Sequence, residues 1–104
     1  MLANIKEITK MIEDETRRGI DLWGENHSRH EGYAVAKEEM DEMESEYDAV
    51  TSKMCRIWDK VKSNTPQSEM VELLEECKTS MVYMLAEGIQ FAAMINKMIH
   101  FENK

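Results

Sequence analysis

The sequence predicts an all-α protein in which a short N-terminal helix precedes two long antiparallel helices. Three observations carry this prediction. Residues that interrupt helices are scarce, with 4 glycines and 1 proline among 104 residues. Two long segments repeat apolar residues in alternating steps of three and four, as a helix with one apolar face requires. One short polar break, "KSNTPQSE" at 62–69, separates those segments and holds the proline.

The first helix is expected over about residues 2–21, where Ile5, Ile8 and Ile12 recur at helical spacing and Gly19 and Gly24 flank the end. "WGENHS" (23–28) reads as a loop. Ser28 is its expected N-cap, and Glu31, three residues on, completes a capping-box pattern. The second helix carries the stripe Tyr33, Ala36, Met40, Met43, Tyr47, Val50, Met54, Ile57 and Val61. After the break, with Ser68 as expected cap, the third carries Met70, Leu74, Cys77, Met81, Met84, Gly88, Phe91, Ile95 and Met98. Each long helix, of about 33 residues, would reach about 50 Å at 1.5 Å per residue. The short connection makes them a helical hairpin within a single domain, 1–104. One short helix leaves much of their apolar surface uncovered. A homodimer or higher homo-oligomer, an oligomeric helical bundle, is therefore expected.

The net charge is −8, with 33% charged and 42% hydrophobic residues. Such a chain folds, and its acidity gives no general attraction to nucleic acid or to an anionic membrane. A phosphate compound would need a divalent cation to mediate its approach. No apolar run is long enough to span a membrane. The opening "MLANIKEITKMIEDE" acquires acidic charge too early for a secretory signal, so a cytoplasmic location is expected. Cys55 and Cys77 follow no metal-site spacing and read as buried free thiols. His27 and His30 are three apart, but the third histidine, His100, is distant, so capping and surface hydrogen bonding explain them better than zinc. Ten methionines, many on the two stripes, read as adaptable core filling. No glycine-rich phosphate loop is present, and no nucleophile–histidine–acid pattern can be recognised.

Residues 38–48 hold seven carboxylates in eleven positions. A solvated helix face explains most such runs, yet Glu38, Glu39 and Glu42 share one patch at three- and four-residue spacing, where like charges weaken a helix. A hairpin centred near Asn64 and Thr65 sets opposite each other residues whose numbers sum to about 129. That register brings Glu87 opposite Glu42 and Gln90 opposite Glu39. Glu87 stands in the apolar run "MVYMLAEGIQFAAMI", where a carboxylate needs a partner. Oxygen-rich side chains from two helices, without thiolate, suit Mg²⁺ or Mn²⁺.

"HEGYAVAKEEMDEMESE" resembles the first metal-binding helix of the MazG-like all-α nucleotide pyrophosphohydrolases, and in particular their small phage-encoded members. "EGIQFAAMINKMI" (87–99) is similar to the family's second such helix, and "RRGIDLWGENHS" looks like the lead-in of related members. The family pattern is EExxE followed by ExxD. Glu38, Glu39 and Glu42 match the first part and Glu87 the first acid of the second. The final aspartate is Gln90 here, which offers a neutral oxygen but neither charge nor base.

The resemblance implies hydrolysis of a nucleoside triphosphate to the monophosphate and pyrophosphate. Glu38, Glu39, Glu42 and Glu87 would hold Mg²⁺ or Mn²⁺, with Glu39 or Glu42 the candidate general base. Gln90 implies a weaker site, holding a single ion or idle in catalysis. Trp23, Asn26 and His27 are candidates to stack on or hydrogen-bond a nucleobase, with Trp23 as packing anchor of the first helix the competing explanation. Lys37, beside the carboxylates, is the candidate phosphate contact; Arg17, Arg18 and Arg29 are weaker ones. The rival reading is a non-catalytic oligomer that sequesters a nucleotide or binds a protein. The plainest is a structural hairpin with surface acids.

Overall fold

In the computed structural model, which describes residues 4–104, three helices account for nearly all of the chain: α1 (Ile5–Trp23), α2 (Arg29–Lys62) and α3 (Gln67–Glu102). The expected start of the first helix at residue 2 lies outside the described residues. Asn4 caps α1 by accepting from the Glu7 amide at 3.3 Å. The helix runs through Gly19 and ends two residues later than expected. What stops it is Gly24, at φ 80° and ψ 178°, backbone that only glycine adopts without strain. The Gly24 amide closes the helix on the Ile20 carbonyl at 2.7 Å.

Ser28 caps α2, its Oγ accepting from the Glu31 amide at 3.0 Å. The capping box closes one residue early, because the Glu31 carboxylate accepts from the His27 amide, at 3.0 Å, and not from that of Ser28. This ties the loop to the helix that follows it. Between α2 and α3, Asn64 takes the left-handed conformation at φ 52°, which asparagine tolerates better than most residues. Pro66, and not Ser68, stands at the N-cap of α3. Its fixed φ, −54°, suits helix entry, and its carbonyl accepts from the Glu69 and Met70 amides, each at 3.1 Å.

Contacts between α2 and α3 pair the start of one with the end of the other. Arg29 donates to both oxygens of Glu102 at 2.9 and 2.7 Å, and Lys53 Nζ donates to Ser80 Oγ at 2.5 Å. The two helices therefore run antiparallel, about two to four residues off the register expected from the loop. Helix α1 packs on α3 and leaves α2 untouched along its backbone. Thr16, the most buried residue of α1, accepts from Asn96 Nδ2 at 3.2 Å and donates to the Ile12 carbonyl at 2.7 Å. So α3 is the shared wall of two helix pairs.

The apolar stripes are only partly inside. Ala36, Val50 and Cys77 are buried, with Leu73 and Ala93 beside them. Tyr33, Tyr47, Met54, Val61, Leu74 and Ile95 are exposed. The seam of α2 is turned one residue from the expected stripe, so that half-buried Glu39, Glu46 and Lys53 share it with Ala36, Met43, Val50 and Ile57. One facing helix cannot cover two adjacent rows, and the excess apolar row of α2 faces outward. Cys77 is buried as expected, but Cys55 is exposed; both are free thiols. Trp23 is 80% exposed and anchors nothing. No described helix is long and apolar enough to cross a membrane.

Candidate functional site

Glu39 and Glu42 lie three apart on α2, hence on one helix face, and the antiparallel α3 brings Glu87 against them. One carboxylate oxygen from each lies within 4.8 Å of the others. Among the described residues this is the one group of three or more acidic, histidine or cysteine side chains so arranged. Glu38 does not join it. A one-residue step turns a helix by about 100°, and that turn leaves Glu38 exposed outside the group. No histidine joins it either.

Crowding of like charge marks the cluster. Burial, and then the charges of Glu42 and Glu87, push the Glu39 carboxyl up to about 7. Burial also raises Glu87, together with a hydrogen bond to Glu42 and the charges of Glu42 and Glu46. Ordinary surface acids repel each other little. Here a cation would relieve the repulsion, and the donor set, three carboxylates and no sulfur, fits a hard divalent ion.

Beside the cluster a cavity of about 350 Å³ opens between the end of α1, the start of α2 and α3. Glu39 stands on its wall with Trp23, Asn26, Gln90 and Lys97, and Val35 and Met94 supply apolar lining. Asn26 is almost wholly buried here because Gly32 makes room. A Cβ on Gly32 would fall 2.8 Å from Asn26 Nδ2 and 3.0 Å from Met98 Cγ. Trp23 stands at the mouth, open to solvent.

Other expected contacts are placed elsewhere. His27 is exposed and engages Glu31 through Nδ1 at 3.0 Å, off the cavity wall. Lys37 forms a surface ion pair with Asp41 four residues on, which holds it away from the cavity. Arg29 pairs with Glu102, and Arg17 lies 3.9 Å from Asp14. Gln90 lines the cavity but is turned to α1, where its Nε2 donates to Glu15 Oε1 at 2.8 Å. Arg18, also on the wall, bridges to the same carboxylate. The Arg18 guanidinium and, less, the Gln90 amide hold the Glu15 carboxyl below the usual range.

Lys97 is a wall residue absent from the candidates read from the sequence. Its signal is the one that singles out Glu87, a charged residue inside an apolar run, here "FAAMINKMI". No family model, no curated protein and no solved structure matches this chain.

Proposed function

We propose that the chain is a MazG-like, divalent-cation-dependent nucleoside triphosphate pyrophosphohydrolase, resembling the small phage-encoded type. Glu39, Glu42 and Glu87 would hold Mg²⁺ or Mn²⁺, with Glu38 left out. The convergence of these three carboxylates across two helices supports this reading most. The bound ion would neutralise phosphate oxygens and stabilise charge that develops at them. Glu39 or Glu42 takes a proton from the attacking water. The cavity beside Glu39 receives the nucleotide, where Trp23 offers an exposed ring face for a base and Asn26 a hydrogen-bonding amide.

Pyrophosphate release from a panel of nucleotides with Mg²⁺ tests this. Glu42→Gln is expected to slow it about 100-fold, in the range that loss of a charge-stabilising group costs. Equal rates in the two proteins would remove the cluster from the chemistry. Gln90 favours a second reading. With its amide committed to Glu15 and no charge to give, the site binds a nucleotide and metal without turnover. Metal-dependent nucleotide binding without pyrophosphate release is the outcome that selects it.

Self-association completes the proposed architecture. The exposed row of Tyr33, Tyr47, Met54 and Val61 on α2 adjoins a groove of about 740 Å³ floored by Met84 and Ile89 and walled by Ile8, Met11, Met40 and Tyr47. An apolar surface of this kind is characteristic of an interface. A second copy of the chain covers it, forming the oligomeric bundle. Light scattering is expected to give at least twice the chain mass of 12.2 kDa. A mass of one chain sinks the assembly.

A further inference from the structure

Two polar side chains on the cavity wall are nine-tenths covered and have no hydrogen-bond partner among the described residues. Lys97 is 8% exposed and Asn26 9%. Among the described residues neither side chain has a hydrogen-bond partner, and no carboxylate stands within 4.0 Å of the Lys97 ammonium. Their tips are nonetheless not sealed off. The one fully enclosed side-chain atom without a hydrogen bond among the described residues is Glu25 Oε2, which has Lys104 Nζ 3.4 Å away. The ends of Lys97 and Asn26 are therefore not fully enclosed, and both residues line the cavity, with the Asn26 amide nitrogen against Gly32.

A lysine whose stem is covered while its ammonium has no partner gains nothing in stability over an apolar side chain at the same position. Glu31 is close enough to feel the charge of Lys97, but its carboxylate is already committed to the His27 ring and amide. The other cation on the wall, Arg18, is committed to Glu15. In a chain of net charge −8, Lys97 is thus the wall cation left free to meet an anion.

We propose that Lys97 is the phosphate-binding cation of this cavity. Its ammonium takes a phosphate oxygen of the nucleotide. This assignment rests on the reading of the neighbouring carboxylates as the site of phosphoanhydride hydrolysis. An anion held between Lys97 and Glu39 has its phosphates beside the cluster and its base toward Trp23 at the mouth. The same cation reduces the repulsion that four wall carboxylates, Glu15, Glu25, Glu31 and Glu39, present to an arriving polyanion.

The test is calorimetric binding of inorganic pyrophosphate, with Mg²⁺ and separately in chelator, to wild type, Lys97→Met and Lys97→Arg. Lys97→Met keeps the buried stem, and its helix content and melting point check that it folds. Loss of a charge-assisted hydrogen bond is expected to weaken pyrophosphate binding about 10-fold or more in Lys97→Met. Lys97→Arg is expected to stay within about threefold of wild type, because it keeps the charge. Mn²⁺ binding to the proteins alone is expected to be unchanged. Pyrophosphate binding as tight in Lys97→Met as in wild type overturns the assignment, as does wild type with no affinity for pyrophosphate. Should the gap persist in chelator while no protein binds Mn²⁺, the metal reading falls and Lys97 stands.

Discussion

Mn²⁺ at a hundred times its Kd is expected to stabilise the wild-type protein by about 2.7 kcal/mol, and Glu87→Gln is expected to erase that gain. Glu87 is the one carboxylate that α3 contributes to the cluster. Without it the remaining pair, Glu39 and Glu42, sits on a single helix and no longer links α2 to α3. A cation held by two neighbours on one helix has little preference for the folded chain. Without metal the variant behaves in the opposite sense. Glutamine keeps the shape of Glu87 but removes a charge that now repels Glu39 and Glu42. The apo variant is therefore expected to be about 1 kcal/mol more stable than apo wild type. Urea melts in chelator and in Mn²⁺ should show this crossing, with the variant ahead in one and behind in the other. A wild type indifferent to Mn²⁺, or a variant that gains as much from it, refutes the metal site.

The crossing has a structural origin that part of the sequence exposes. A carboxylate within "MVYMLAEGIQFAAMI" has to find a partner, and a short loop between two long helices restricts where that partner can be. Glu87 and its α2 partners were legible for this reason. The helix count was legible too, because glycine, proline and the 3.6-residue period act locally. The facing row was not. Apolar residues fill two adjacent rows of α2, and a pattern read from them passes over Glu39, Glu46 and Lys53, which occupy the seam itself. Lys53 is tolerated there through Ser80, a partner 27 residues away that no local pattern announces. Gln90 is similar. Its spacing from Glu87 suggests a role in the cluster, but Glu15, 75 residues earlier, takes its amide. Of the two readings of Trp23, the packing anchor is the one that fails, although a large aromatic at a helix end usually packs inward. Gly24 redirects the chain immediately after it, leaving the ring at the cavity mouth.

Apo stability is expected to fall by about 2 kcal/mol as pH rises from about 4.5 to about 7. Glu39 titrates near 7 in the folded chain, raised from 4.5 by burial and then by Glu42 and Glu87. Between those values the unfolded chain has released this proton while the folded chain keeps it. The folded state then binds more protons, so stability declines with rising pH. Below the window both states are protonated, and above it both are ionised, so the slope from this group disappears at each end. Water reaches Glu39, which keeps the loss below the full linkage of the shift. Glu87, raised by burial and Glu42, acts in the same direction. The acids held low by partners, Asp14, Glu15, Glu31 and Glu102, act in the opposite direction. Their stabilisation is lost as pH falls through their lowered values, beneath the window of Glu39. Urea melts in chelator between pH 4.5 and 7.5 are expected to show the decline in wild type and a flatter profile in Glu39→Gln. With saturating Mn²⁺ the slope should reverse, because ligands must shed protons to bind and the bound state then gains with pH. A wild-type apo profile that rises through this range would mean that the three carboxylates do not crowd one another as described.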